Sequence, residues 1–237
     1  MFSTLRPRRS LGVKVVAKAQ RDWFGGLEID DVLVRYPGLR LIPTARNVLK
    51  LEGDLAFRAE APGKEVIADS FRVQMLVPAD TRCEFLSVRE LAGRIPPSFH
   101  TLNDGTLCLG SPTRLRLLMG RSTSVLKFIE RCVIPYLYGR AYHERHGELP
   151  FGELSHGNAG ICEDLELLFG FRDEAIVKAF LSATTLRRRE ANKHRCACGS
   201  RVRLGRCHHR RVNAARYRLG RPWFRAVLES LADGRIR

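Results

Sequence analysis

The sequence predicts an α+β fold: an antiparallel sheet with flanking helices, followed by a small cysteine-rich segment. Three observations predict it: alternating apolar and polar residues in the first half, helical spacing after residue 124, and a close group of cysteines near residue 200. Strands that follow one another with short turns favour an antiparallel meander. Strands followed by helices are the usual order of α+β folds.

The strands are predicted from period-two alternation. Residues 46–57 alternate apolar and polar side chains, residues 70–77 form a second such run that Pro78 ends, and residues 83–88 form a third. Residues 61–64 read as a turn. A short helix is predicted before the sheet, over residues 13–24.

The helical half begins after a loop rich in proline and glycine. Apolar residues at helical spacing run from Val125 to Leu137, Ser122 or Ser124 is placed to cap this helix, and Gly147 to end it. Pro135 lies inside the pattern and is expected to kink or split the helix. Two further helical pieces are predicted around 165–169 and 176–181.

Charge divides the chain unevenly. The formal net charge is +16, and residues 187–237 hold 16 Lys and Arg against 3 Asp and Glu, so most of the excess lies there. The predicted domains are an N-terminal helical segment over 1–39, a main domain over 40–185 and a basic tail over 186–237. A basic tail attracts polyanions, so nucleic acid or an acidic protein face is a candidate partner, and a solvated tail is the alternative.

Cysteine use and hydropathy predict the compartment. The chain has 7 cysteines, an odd number, and no apolar run that suits an export signal, so free thiols in a reducing, cytoplasmic setting are expected. No stretch approaches the roughly 20 apolar residues of a membrane-spanning helix, and no membrane partner is expected.

The loop over residues 95–109 is the most informative part of the main domain. Cys108 ends a polar, glycine-containing turn between two leucines, and His100, Asn103 and Asp104 lie within eight residues upstream. A thiolate is the nucleophile of thioester exchange, and it needs partial exposure and a donor near the developing oxyanion. The alternative is a buried cysteine that acts as a small apolar side chain.

This loop resembles that of the ubiquitin-conjugating enzymes in their divergent prokaryotic form. The resemblance covers roughly residues 40–145, and it rests on a proline-rich approach, a histidine, an asparagine, a glycine and an aliphatic-Cys-Leu ending: Pro96-Pro97, His100, Asn103, Gly105 and Leu107-Cys108-Leu109. It implies a UBC-like fold and a thioester on Cys108. It also implies a ubiquitin-like or other protein donor, a separate activating enzyme and transfer of the acyl group to an amine.

The resemblance also implies roles for neighbouring residues. Asn103 is the candidate oxyanion donor, Asp104 the candidate to orient or deprotonate the incoming amine, and His100 either holds the loop or moves protons. The Cys108 thiol is also expected to pair with a distant histidine, for which His156 is the candidate. The family's setting implies a role in antiphage defence, with a cyclic-nucleotide synthase among the partners.

The tail carries a metal-binding pattern. Three thiolates and one imidazole form a closed tetrahedral set suited to structural Zn²⁺, with Cys196, Cys198, Cys207 and His208 as ligands and His209 as a substitute for His208. The order Cys-x-Cys-Gly-Ser followed by Cys-His resembles the SEC-C motif of the SecA translocation ATPase. A segment this small is expected to gain most of its folding free energy from the metal.

Three functions follow from these observations. The first is a bacterial conjugating-type acyltransferase that acts through Cys108. The second is a non-catalytic UBC-like binding module. The third is a protein that docks nucleic acid or a partner through the basic, cysteine-rich tail.

Overall fold

A computed structural model describes residues 27–44, 48–78, 85–120, 122–151 and 157–233. The chain divides into two compact units. Unit 1 comprises Met1–Leu109 and Thr123–Phe151, and unit 2 comprises Gly110–Ser122 and Gly152–Arg237. Sheet and helices are both present, so the predicted α+β class is confirmed.

Unit 1 is built on a four-stranded sheet. Its strands are antiparallel, lie in the order β1-β2-β3-β4 and form the predicted meander: β1 Leu39–Ile42, β2 Val48–Ala59, β3 Ile67–Pro78 and β4 Ser87–Glu90. The alternation in sequence becomes alternation in space, because Phe71, Val73, Met75 and Val77 are buried while the residues between them are more exposed. The predicted turn is present, and Lys64 N–H donates to Ala61 O.

The helical part of unit 1 lies before and after the sheet: α1 Ile29–Arg35, α3 Val125–Phe128, a π-helical segment Ile129–Val133 and α4 Ile134–His146. Ser124 caps the N-terminus of α3, where its hydroxyl accepts from Lys127 N–H, and Gly147 ends α4 at φ 73°. Pro135 lacks an amide hydrogen, and the helix departs from the α-helical ladder directly before it. The α4 helix packs against β2 and β3.

One ion-pair cluster links the sheet, the start of the loop and α4. Arg94 donates to Asp69 of β3 at 2.6 Å and to Glu144 of α4, and its guanidinium lies over the Phe71 ring at 4.0 Å. The hydrogen bond from Arg94 holds the pKa of the Asp69 carboxyl below its usual range. The loop that leads to Cys108 is therefore anchored at Arg94 to the sheet and to α4.

Unit 2 is helical in its described part: α2 Pro112–Met119, α5 Gly157–Phe169, α6 Glu174–Thr185, α7 Arg188–Ala191, a 3₁₀ turn Leu204–Arg206, α8 His209–Leu219 and α9 Arg221–Asp233. Its buried core draws side chains from α5, α6, α8 and α9 together with Cys196 of the tail. None of the helices described in either unit is both long and apolar enough to cross a membrane.

The structure groups the chain differently from the predicted domains. Unit 2 groups the helices over 157–185 and residues 110–122 with the tail. The tail therefore shares a core with α5 and α6, which means that a metal need not supply most of its folding free energy, as the sequence alone suggested. The predicted helix over 13–24, and Cys83 at the start of the third predicted strand, lie outside the described residues.

Candidate functional site

Cys108 lies at the end of a small hairpin. Thr101 and Leu107 form an antiparallel bridge, and Cys108 N–H donates to His100 O at 2.7 Å. Leu107 N–H donates to Val88 O of β4, also at 2.7 Å, which ties the hairpin to the edge of the sheet. The backbone on both sides of the cysteine is thus held by hydrogen bonds, and Leu107 is buried as an anchor.

The cysteines described in unit 1 differ in exposure. Cys108 is partly exposed, whereas Cys132 of the π-helical segment is buried, and burial raises the pKa of the Cys132 thiol to about 12. A thiol with so high a pKa holds almost no thiolate near neutral pH, and the thiolate is the reactive form. Cys132 is therefore a core residue, and Cys108 is the unit's accessible thiol among the described residues.

Asn103 and Asp104 occupy the turn of the hairpin, beyond the Thr101–Leu107 bridge. Asp104 Oδ1 accepts from Thr106 N–H at 2.9 Å, and its Oδ2 lies 3.5 Å from Arg89 of β4. The hydrogen bond from Thr106 lowers the pKa of the Asp104 carboxyl. These contacts give Asp104 a role in shaping the turn, and Asn103 is exposed beside it.

His100 and Cys108 are backbone partners. His100 has φ 43°, in the left-handed region that few non-glycine residues adopt, and its ring meets the Phe99 ring edge-on at 5.3 Å. Such conformations persist only where the surroundings enforce them. His156, the distant candidate, lies outside the described residues.

Tyr136 of α4 is the polar residue near Cys108 that sequence reasoning missed. Its hydroxyl donates to Phe99 O at 2.8 Å, with His100 O 3.2 Å away, so it converges with Cys108 N–H on the carbonyl of His100. Burial, with a smaller contribution from the nearby Cys108 sulfur, raises the pKa of this hydroxyl. Tyr136 therefore stays a hydrogen-bond donor at neutral pH.

The same face of α4 holds the base of the hairpin. Tyr136, Arg140 and His143 recur at helical spacing, and all three contact the Phe99 ring: Tyr136 edge-on, Arg140 through its guanidinium at 4.9 Å and His143 at 5.3 Å. Tyr136 belongs to the helical pattern in the sequence, but that pattern does not show that its hydroxyl reaches the cysteine hairpin.

The second cluster lies in unit 2. The ligand atoms of Cys196, Cys198, Cys207 and His208 all lie within 4.8 Å of one another, so the structure brings the predicted ligand set together. Cys198 Sγ and Cys207 Sγ are 3.6 Å apart, and His208 Nδ1 is 3.2 Å from Cys207 Sγ and 3.3 Å from Cys196 Sγ. Metal–sulfur distances of about 2.3 Å place two sulfurs of a tetrahedron about 3.8 Å apart, so the four groups fit a tetrahedral ion such as Zn²⁺.

The surroundings of the cluster favour deprotonated sulfur on its outer side. Hydrogen bonds from Ser200 lower the pKa of the Cys198 thiol to about 6, while burial raises the pKa of Cys196 to about 11. Ser200 Oγ also lies 3.4 Å from Cys207 Sγ. A bound cation would favour the thiolate form of all three cysteines.

The imidazole of His208 is fixed by aromatic packing. Its ring meets Phe171 edge-on at 5.4 Å and Phe180 at 5.6 Å. His209, the substitute ligand predicted from sequence, is not among the four grouped side chains.

Comparison of the chain with protein-family models, with curated proteins and with solved structures finds no match.

Proposed function

We propose that this chain is a conjugating-type acyltransferase, which carries an acyl group as a thioester on Cys108 and passes it to an amine. The observation that carries the proposal is a partly exposed thiol at the end of a hairpin that the sheet edge and α4 hold in place. The order of four-stranded meander, cysteine loop and long helix is the order that the resemblance to ubiquitin-conjugating enzymes implies. A UBC-like fold is part of this proposal.

The chemistry has two balanced steps. The Cys108 thiolate attacks the carbonyl carbon of the donor thioester, a new C–S bond forms, and the donor thiol leaves after taking up the proton lost by Cys108. An amine then attacks the new thioester, an amide forms, and Cys108 leaves as thiolate while the amine's proton passes to water. A hydroxyl or amide donor near Cys108 stabilises the oxyanion of each tetrahedral intermediate.

The residues around Cys108 take separate roles in this proposal. Tyr136 stays protonated beside Cys108 and fixes the His100 carbonyl, so it holds the thiol in place. Asp104 shapes the turn through Thr106 and Arg89, and it remains ionised near neutral pH. Asn103, at the exposed turn, is available to a docked donor or target.

The Cys/His cluster of unit 2 is proposed as a structural Zn²⁺ site. Its donor set of three sulfurs and one nitrogen suits Zn²⁺, and four protein ligands leave no open position for substrate. When bound, the ion supplies no step of the acyl transfer and joins the tail hairpin to the start of α8. The partners proposed are a ubiquitin-like or other protein donor and a separate activating enzyme, in the cytoplasm, where thiols stay reduced.

Two substitutions of Cys108 test whether its sulfur carries the acyl group. Cys108→Ala is expected to abolish a covalent donor adduct that reductant releases, and Cys108→Ser to replace it with an ester that reductant leaves intact. Cys162→Ala, at another partly exposed cysteine, is the matched control and is expected to leave the adduct unchanged. Retention of both adduct and transfer in Cys108→Ala would favour the non-catalytic binding module instead.

A further inference from the structure

The segment that carries the metal ligands, from the hairpin around residue 200 to the start of α8, displays a dense group of arginines. Five of them are exposed, and none lies within ion-pair distance of a carboxylate among the residues that the structure describes: Arg195, Arg201, Arg203, Arg206 and Arg210. We call these five side chains the arginine face. Charges that no acidic side chain balances are free to attract an external anion.

Two of these arginines are forced together by the backbone. Arg195 and Arg203 are paired across the hairpin, and the hydrogen bonds that flank them join Cys196 N–H to Val202 O and Leu204 N–H to His194 O. They therefore form a non-hydrogen-bonded pair, the type in which opposite side chains come closest. Like charges directly opposite are destabilising, so the fold places them together at a cost that a bound anion would offset.

Other arginines of unit 2 have a structural role, because they donate hydrogen bonds to backbone carbonyls. Arg211 donates to Phe169 O at the end of α5, and Arg216 Nε donates to Thr184 O near the end of α6 at 3.1 Å. Both satisfy carbonyls at helix C-termini, where cations are favourable. The five arginines of the arginine face make no such contact with the part of the chain that the structure describes, so folding does not explain them.

An exposed aromatic residue continues the arginine face along α8. Arg210, Ala214 and Tyr217 are exposed and recur at spacings of four and three, so they share one side of the helix. Tyr217 is 73% exposed. A flat ring beside a row of guanidinium groups suits a base beside a row of phosphates.

We propose that the arginine face and Tyr217 bind single-stranded nucleic acid, with the guanidinium groups on the phosphates and the tyrosine ring stacked on a base. An acidic protein would share the charge complementarity, but protein interfaces have an apolar centre. The hairpin offers only Val202, 43% exposed, among its described large apolar side chains. The proposal is independent of the chemistry at Cys108.

The test measures binding of the full chain, loaded with Zn²⁺, to fluorescein-labelled single-stranded RNA and DNA of about 20 nucleotides over a range of salt concentrations. The triple variant Arg201/Arg203/Arg206→Gln is expected to reduce the slope of log K against log salt by about 2, since each lost phosphate contact removes about 0.7. Its affinity is expected to fall about tenfold or more at low salt.

The control is Arg40/Arg58/Arg72→Gln, which removes the same charge from exposed positions of β1, β2 and β3. It is expected to leave the slope nearly unchanged. Equal losses in the two triple variants would overturn the proposal, because they would show attraction by net charge alone. Zn²⁺ content and circular dichroism establish that each variant is folded.

Tyr217 separates nucleic acid from other polyanions. Tyr217→Ala is expected to weaken binding about tenfold and Tyr217→Phe to preserve it, because stacking needs the ring and not the hydroxyl. Polyglutamate that competes as well as the oligonucleotide, with no effect of Tyr217→Ala, would assign the face to an acidic protein. Equal affinity for a duplex of the same length would overturn the single-strand assignment.

One single-residue variant tests whether Arg203 serves the fold rather than the binding of an anion. Arg203→Gln removes the repulsion with Arg195, so it is expected to raise the melting temperature while it weakens binding. A lower melting temperature would mean that Arg203 serves the fold, and the proposal would fail.

Discussion

Units 1 and 2 hold their candidate sites in opposite ways. Cys108 lies on a hairpin beside a sheet whose buried side chains are apolar, so the sheet's core does not depend on the thiol. In unit 2, Cys196 is itself part of the buried core, and Cys198 and Cys207 pack against that core. The comparison teaches that a site added to a scaffold can be altered without loss of the fold, whereas a site within a core cannot.

The largest difference between the units is expected on loss of the metal ligands. In Cys196→Ser/Cys207→Ser, unit 2 loses its proposed cross-link and gains a hydroxyl at the buried position 196, which we expect to cost more than about 3 kcal/mol. Hydrogen-exchange mass spectrometry of the holo protein and the variant measures the effect by region. Loss of protection confined to the described parts of unit 2, residues 110–120 and 157–233, is expected, and equal loss in β2 and β3 would contradict the comparison.

A matched pair of core phenylalanines sharpens the comparison. Phe180→Ala and Phe71→Ala each empty a fully buried position and are expected to cost about 3 to 5 kcal/mol. Only Phe180 touches a metal ligand, His208, so only Phe180→Ala is expected to weaken Zn²⁺ binding. The two quantities are read from urea unfolding and from competition with a chelator. Equal zinc affinities in the two variants would contradict the shared core.

Acid is expected to weaken unit 1 through Asp69. The pKa of Asp69 is depressed in the folded chain, so its ion pair with Arg94 stabilises the fold above the unfolded pKa of about 4 and is lost as pH falls through the folded pKa. The pair is partly exposed, and Asp69→Asn should cost about 1 kcal/mol at pH 7. Urea unfolding at pH 7 and pH 2 should show the difference between variant and parent shrinking in acid. If the difference in unfolding free energy is the same at both pH values, the Asp69–Arg94 ion pair is not the cause of the variant's lower stability.

A similarly small effect on stability is expected for two tyrosines of α4, and it is the effect most specific for the cysteine hairpin. Tyr136→Phe and Tyr138→Phe each remove from α4 one hydroxyl that donates to a carbonyl at 2.8 Å, so each should cost about 1 kcal/mol. Only Tyr136 holds the segment that pairs with Cys108, so only Tyr136→Phe is expected to slow acylation of Cys108, by about fivefold. Equal acylation rates in the two variants would remove Tyr136 from the site.

Local patterns in the sequence predicted most of unit 1, and in unit 2 they predicted parts of α5 and α6 but missed other helices. Alternation predicted β2 and β3, and Ser124 and Gly147 marked the ends of the helical stretch, because those signals depend only on neighbouring residues. The helix α8 was missed, since its surface carries four arginines and its apolar stripe is narrow, formed by Val212, Ala215 and Leu219. The strand β1 was missed as well, being only four residues long.

The two candidate sites differ in how far the sequence could predict them. Spacing alone grouped the four metal ligands, because they lie within 13 residues of one another and two glycines allow the chain to turn. The neighbourhood of Cys108 needed the structure, because Tyr136 arrives from a helix 28 positions further along the chain. Long-range contacts of this kind leave no pattern in a single sequence.

Intact-mass spectrometry after incubation with a synthetic peptide thioester tests the central claim most directly, because it requires no activating enzyme. One peptide adduct per chain is expected on the Zn²⁺-loaded protein, located at Cys108 by digestion and released by hydroxylamine. No adduct on Cys108, or adducts spread evenly over Cys108 and Cys162, would contradict the account.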